Sequence, residues 1–297
     1  MPERVAAAPS IATALARAAA RLALADVADP RREATTLWAA VAGEGVKPGD
    51  VWLRRDAAAP AAVARRFRVA VARRARGIPF AYAVGRTGFR HLDLLVDRRA
   101  LIPRPETEGL VDLVLAWTAA GQRAGAGGRG GLVADVGTGC GCLALSLAVE
   151  APFARVIAAE RSAAAAALAR ENVARVDPPV PVEVREGDLL APLAGERLRA
   201  LVANPPYLTV AEYAALDPAV RHYEPRDALV SGADGLCATR ALLAGGRALL
   251  EPGGLLALEL DERRAEATRA LAQAHGWSGA RVYDDLFGRP RFLLAAA

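Results

Sequence analysis

The run Asn204-Pro205-Pro206-Tyr207 couples residue type to one kind of chemistry. Each proline fixes its own φ and restricts the residue before it, so Asn204 and Pro205 are both expected to be extended. Neither proline has an N–H to offer. The segment therefore presents acceptors, the Asn204 side-chain oxygen and the Pro205 carbonyl, to a group that carries an NH₂. Tyr207 adds a flat face for a planar group. An amide or aromatic amine nitrogen is a poor nucleophile because its lone pair is delocalised. Two acceptors that grip its two hydrogens favour charge build-up on nitrogen and aim the lone pair at an electrophile. No general base stands beside the motif, and the reaction needs none at its start. Asn204, Pro205, Pro206 and Tyr207 are the candidate catalytic residues.

A second segment indicates the electrophile. Val133-Ala134-Asp135-Val136-Gly137-Thr138-Gly139-Cys140-Gly141 reads as a strand, a Gly-rich turn and the start of a helix. Glycines at 137, 139 and 141 let the backbone approach a ligand where a Cβ would collide. A dinucleotide-phosphate loop is the nearest rival. Here, however, the glycines are two apart, the G-x-x-G step is missing, and an acid precedes the turn. Glu160 closes the next predicted strand, 25 residues after Asp135, where an acid accepts hydrogen bonds from both ribose hydroxyls. Asp188 follows the third strand, where an acid can accept from an adenine amino group. A nucleoside without phosphate is what S-adenosylmethionine offers, with S-adenosylhomocysteine as the product. The candidate cofactor residues are Asp135, Gly137, Thr138, Gly139, Cys140, Gly141, Glu160, Asp188 and Asn204, with Asp135 alternatively an anchor of the loop. A rigid Pro-Pro turn and a Gly-rich turn with surface acids are the bland alternatives. The register of these features at successive strand ends argues against both.

These segments need a frame. From Leu132 the pattern alternates strand, loop and helix. Strands are predicted at Leu132–Val136, Arg155–Glu160, Val182–Arg185, Leu198–Ala203 and Leu255–Leu260. Helices fall at Cys142–Val149, Ala163–Arg175, Gly235–Leu250 and Arg263–His275. Such alternation implies an α/β fold with a mostly parallel sheet covered on both faces. Two late strands, Arg281–Tyr283 and Arg291–Leu294, would form an antiparallel edge. The front of the chain reads as helices: one capped by Ser10, one over Pro30–Ala42, and one from Pro60 to Gly77. Phe80–Val96, with its aromatics and turn glycines, suits a β-hairpin. A helix restarts through Leu110–Trp117, and Gly121–Gly131 reads as a structureless connector. The expected domains are a small all-α substrate-docking domain over 1–79, a β-hairpin linker over 80–108, and the catalytic domain over 109–297.

Composition narrows the class. No run of about 18 or more uncharged apolar residues predicts a membrane span. Three cysteines are too few for a disulfide framework, and three scattered histidines have no metal-ligand spacing. A cytoplasmic, metal-free protein is the expectation. All but one of the 38 basic residues are Arg. The net charge of +5 is unevenly spread. Residues 1–100 hold 18 basic against 9 acidic side chains, a balance of +9; the remainder hold 20 against 24, a balance of −4. A basic helical module in front of an acidic one points to RNA, a ribosome or an acidic protein as partner, or to a merely solvated Arg face.

With these residues in place, the chain resembles the protein N5-glutamine methyltransferases that modify peptide-chain release factors. Gly77-Ile78-Pro79 with Tyr82, Gly85 and Phe89 is similar to that family's inter-domain stretch. Leu101-Ile102-Pro103-Arg104-Pro105-Glu106-Thr107-Glu108 matches its most distinctive segment. Glu224-Pro225-Arg226, Ala228-Leu229 and Gly232 through Leu236 match a downstream block. The resemblance implies a Rossmann-like class I methyltransferase domain and methylation of a glutamine side-chain amide in a release factor. It adds Leu189 to the cofactor site. It implies that Asn204 to Tyr207 hold the glutamine, with Arg104 and Glu106 shaping the mouth of the pocket; an ion-pair role for those two is the alternative. The enzyme would work as a monomer, without a membrane and without direct nucleic-acid binding. Asn-Pro-Pro-Tyr is shared with adenine-N6 methyltransferases, and a sister group acts on a ribosomal-protein glutamine, so those substrates are the alternatives. Two departures stand out: Glu160 where the family favours Asp, and Leu260-Asp261-Glu262 after Glu259.

Overall fold

The computed structural model describes residues 9–123 and 130–297. The chain divides into two compact units, 1–86 and 87–297.

The first unit is helical. α1 (Ile11–Ala23) begins at Ser10, whose hydroxyl accepts from Thr13 N at 3.2 Å. α2 (Pro30–Ala42) starts with proline at its first turn and ends at Gly43, as the sequence predicts. α3 (Pro48–Leu53) has no counterpart among the sequence expectations: six residues are too few to show a helical stripe. α4 (Ala61–Arg74) supplies Phe67, which meets Trp38 of α2 edge-on with ring centroids 4.9 Å apart. Leu22 and Leu37 are fully buried beside this pair. α5 (Phe80–Val84) is a helical turn where the hairpin was expected to begin. Pro79 precedes it, and Gly85, at φ 86°, closes it in the left-handed conformation that glycine adopts without strain. The aromatics in this stretch mimic a strand, but the terminal residues decide.

The second unit opens with β1 (Arg86–Phe89), which begins at the boundary, and β2 (Leu92–Leu95), a two-stranded hairpin. Then follow α6 (Glu108–Arg123), β3 (Leu132–Val136), α7 (Cys142–Glu150), β4 (Arg155–Glu160), α8 (Ala163–Val176), β5 (Val182–Glu186) and β6 (Leu198–Ala203). After them come α9 (Val210–Ala214), α10 (Pro218–Tyr223), α11 (Cys237–Gly246), β7 (Leu250–Glu259), α12 (Ala265–Ala274), β8 (Ser278–Asp284) and β9 (Pro290–Ala296). The expected connector at Gly121–Gly131 begins inside α6, and residues 124–129 lie outside the described residues.

The sheet order is β5-β4-β3-β6-β7-β9-β8, parallel except for the last two pairings. This is the predicted mostly parallel sheet with an antiparallel edge. Its central strands are apolar on both faces because helices cover both, whereas the edge strands β5 and β8 are partly exposed. Along β6, Ala200 and Val202 face the layer built by α6, α7 and α8, while Leu201 and Ala203 face the layer built by α11 and α12. The chain runs from β3 outward to β5, then returns to place β6 on the other side of β3. That reversal opens a crevice at the carboxyl ends of β3 and β6, where ligands of open α/β sheets bind.

Candidate active site

The Gly-rich turn leaves β3 at this crevice. Asp135 is buried; its Oδ2 accepts from Thr138 Oγ1 at 2.6 Å and from Ala144 N at 3.1 Å. Burial pushes its carboxyl up to about 7, against the pull of those two hydrogen bonds. Geometrically, Asp135 anchors the loop to the start of α7. Gly137, Gly139 and Gly141 have φ of 75°, 59° and 90°. A Cβ on Gly137 would meet no protein atom within 4 Å, so the backbone there is bare toward the crevice and open to a ligand. Glu160, at the end of β4, accepts from Gly139 N at 2.9 Å and from Ser162 N at 2.8 Å. Its carboxylate thus ties the Gly-rich turn to the next strand end.

A cavity of about 810 Å³ occupies the crevice. Gly137, Gly139, Glu160, Asp188, Leu189 and Asn204 line it, with Pro206 beside them. The structure therefore brings the predicted backbone loop, Glu160 and Asp188 to one cavity with Asn204 and Pro206; Pro205 and Tyr207 are not among its lining residues. Asp188 is largely exposed and lies 4.0 Å from Arg161, which also pairs with Asp227 at 3.3 Å. Thr138, Cys140 and Gly141 lie behind the wall of the cavity with Asp135 rather than on its surface. Cys140 is buried, and its carbonyl accepts from Asn172 Nδ2 at 2.8 Å. A nucleoside fits this donor set: bare backbone on one side, carboxylates at two strand ends. No cluster of His, Cys, Asp and Glu fit to hold a metal is found among the described residues.

Asn204 stands one residue beyond β6. Its Nδ2 donates to Thr107 Oγ1 at 3.1 Å, and the register of β6 on β7 sets the Glu259 carboxyl beside it. Both partners escape a local reading of the sequence, because they lie 97 residues upstream and 55 residues downstream. Tyr207 is largely buried; desolvation, with the Glu259 charge adding to it, pushes its phenol up to about 12. It is a neutral ring at any physiological pH. The chain after Tyr207 is pinned by Leu208 N to Leu229 O and Ser231 N to Leu208 O, both at 2.8 Å.

Gly235 packs against this loop at φ 78°, and a Cβ there would overlap the Tyr207 carbonyl oxygen and the Arg264 guanidinium. A backbone carbonyl cannot swing aside as a side-chain tip can. Gly235→Ala is therefore expected to displace the catalytic loop, lowering stability by about 2 kcal/mol and turnover by about tenfold. Denaturant unfolding and initial rates check this together; a variant with unchanged midpoint and rate would show that the loop has slack.

Arg104 and Glu106 each form an ion pair, with different partners. Arg104 Nη2 reaches Glu224 Oε1 at 2.6 Å, and Glu224 Oε2 also accepts from Ile102 N at 3.1 Å. The Glu224 side chain is 1% exposed, so this pair fastens the Ile-Pro-Arg-Pro segment to the Glu-Pro-Arg block. Glu106 lies 3.9 Å from Arg289. Neither Arg104 nor Glu106 is among the residues lining the cavity. The Leu260-Asp261-Glu262 departure is structural at its first two positions: Leu260 is buried, and Asp261 accepts from Arg263 N at 2.9 Å at the head of a short turn.

The chain is similar to known proteins along most of its length. The family described as the PrmC N-terminal domain matches residues 13–85, and the methyltransferase small domain matches residues 123–220. The release factor glutamine methyltransferase of Moorella thermoacetica is 43% identical over 95% of this chain and 96% of its own length. That of Deinococcus radiodurans is 40% identical over 95% of this chain and 96% of its own. A methyltransferase from Pyrococcus furiosus superimposes with a TM-score of 0.50 over 70% of this chain and 90% of its own, at 18% identity, which speaks to the fold alone. With the cofactor loop, Asn-Pro-Pro-Tyr and full-length similarity in agreement, the chain belongs to the release factor glutamine methyltransferase family.

Proposed function

We propose that the protein transfers a methyl group from S-adenosylmethionine to the side-chain amide nitrogen of a glutamine in a peptide-chain release factor. The observation that carries this reading is the Asn204 amide: its Nδ2 is taken by Thr107, which leaves Oδ1 as the acceptor offered to the cavity. Bound S-adenosylmethionine would supply an electrophilic methyl group. Gly137, Gly139, Glu160, Asp188 and Leu189 would hold it. Oδ1 of Asn204 and the Pro205 carbonyl then take the two hydrogens of the substrate amide. As nitrogen gives up its lone pair its N–H groups become more acidic, so both hydrogen bonds strengthen toward the transition state. Tyr207, largely buried behind the lining residues, would exclude water from that side. The methylated amide finally returns a proton to solvent.

The helical unit over 1–86, with its basic excess, docks the protein substrate in this reading. A substrate from the translation machinery places the activity in the cytoplasm. No helix among the described residues is long and apolar enough to cross a membrane. Incubation with labelled cofactor and, in parallel, release factor, ribosomal proteins and duplex DNA tests the reading. Label is expected on release factor, mapped by peptide mass to the glutamine side-chain amide. Label on a ribosomal protein or on adenine alone would assign the chain to another substrate.

A further inference from the structure

Glu259 is a buried acid to which the proposed chemistry assigns no task. It ends β7, one residue past the Ala203–Leu258 pairing, so the sheet register sets it beside Asn204. It is 2% exposed, and its Oε2 has no partner among the described residues. A carboxyl so placed costs stability unless it is compensated, and an apolar residue would pack there without that cost. The polar side chains beside it are Thr107 and Asn204, which bond each other.

We propose, on the strength of the function inferred above, that Glu259 is a positioning residue whose ionised carboxylate locks the Asn204 amide with Nδ2 inward and Oδ1 toward the substrate nitrogen. The chemistry of the partners requires this direction. An ionised carboxylate only accepts, so what it takes from Asn204 must be an N–H. Thr107 has one hydrogen and can pass it to Glu259 while accepting from Nδ2. The three groups together leave a single amide orientation. A protonated Glu259 carries an O–H and can donate to Oδ1. The flipped amide would then present NH₂ to the substrate NH₂, donor against donor.

The surroundings place that exchange near neutrality. Burial pushes the Glu259 carboxyl up to about 7. The hydrogen bonds from Thr107 and Asn204 and the charge of Arg291 on β9 oppose the rise, while Glu106 adds to it. The Tyr207 phenol faces it from the catalytic loop and stays neutral. Asp261, farther along, is committed to Arg263, and Glu108 at the start of α6 accepts from Arg90 N at 2.8 Å. The active form is the deprotonated one. Turnover should therefore be full above the folded-state value and fall as pH drops through about 7.

Single-turnover rates on release factor at saturating cofactor, followed from acid to alkaline pH, test this. The wild type should show an acid limb. Glu259→Gln should lose about ten- to a hundredfold at alkaline pH, the effect of one charge-assisted hydrogen bond. It should also lose the limb and keep cofactor affinity within about threefold. Thr107→Val should keep the limb but shift it to higher pH, since a bond that favours the carboxylate is gone. Circular dichroism confirms that each variant is folded. A limb that persists in Glu259→Gln would overturn the proposal, the proton then belonging elsewhere; Asp135 is the other carboxyl raised to about 7. Wild-type turnover in that variant, or loss of cofactor binding in step with the rate, would overturn it too. A wild type that transfers no methyl to glutamine would instead remove the function on which the proposal stands.

Discussion

Asn204→Ala is expected to lower turnover by about 10²–10³, the effect of removing one preorganised polar contact made chiefly in the transition state. Cofactor affinity should change far less, because in the proposed site the loop after β3 and Glu160 would hold the cofactor. Asn204→Asp is the sharper variant. Its shape is nearly retained and it still offers an acceptor, so a pure acceptor role would preserve most of the rate. The structure predicts otherwise. Nδ2 of Asn204 donates to Thr107 and the side chain meets Glu259, so an aspartate would place two carboxyl groups together in a buried site. One must take up a proton or the loop must shift, and either spoils the acceptor. The Asp variant should therefore be nearly as slow as the Ala variant. Rapid-quench measurement of methyl transfer at saturating cofactor checks both. An Ala variant at the wild-type rate, with product on the same nitrogen, would reduce Asn-Pro-Pro-Tyr to scaffolding.

Glu160→Ala should weaken cofactor binding by about a hundredfold or more. Two charge-assisted hydrogen bonds to ribose hydroxyls are worth roughly 1.5–3 kcal/mol each. The same side chain holds Gly139 N and Ser162 N, so its removal also frees the turn that must lie flat beneath the ligand. Glu160→Gln should be little better, since its NH₂ would confront a backbone N–H. Calorimetric titration with the cofactor decides: unchanged affinity would take Glu160 out of the site.

Legibility followed the range of the forces. Leu132–Val136, Arg155–Glu160 and Leu198–Ala203 begin and end where the sequence predicts. They are largely apolar runs, broken inside only by Asp135 and Arg199 and closed by Gly137, Glu160 and Asn204, a local signal. The Gly-rich turn, Glu160 and Asn204 were legible for a related reason: each sits at the end of such a run. β7 is longer than expected because Glu251-Pro252-Gly253 hides its first half, and α9 and α10 are too short to show a period. The partners of the site residues were not legible at all. Nothing near Asn204 in the chain announces Thr107 or Glu259, and nothing near Arg104 announces Glu224. Contacts of that kind arise from sheet register, as for Glu259, or from loops brought together by the fold, as for Thr107 and Glu224, and no local pattern records either.

The parallel pairing of Val136 with Ala203 has a further consequence. The cofactor turn begins one residue after the first, and the amide grip begins one residue after the second. Neighbouring strands lie about 4.8 Å apart in the hydrogen-bonding direction, so the ladder between β3 and β6 works as a ruler for the gap between methyl donor and acceptor. A one-residue insertion in either strand would turn its side chains to the opposite face as well as lengthen it. Such a change would fail twice over. The stretch carrying α9 and α10 is under no such rule. A change in its length leaves the ladder, and so the distance over which the methyl group would travel, as it is.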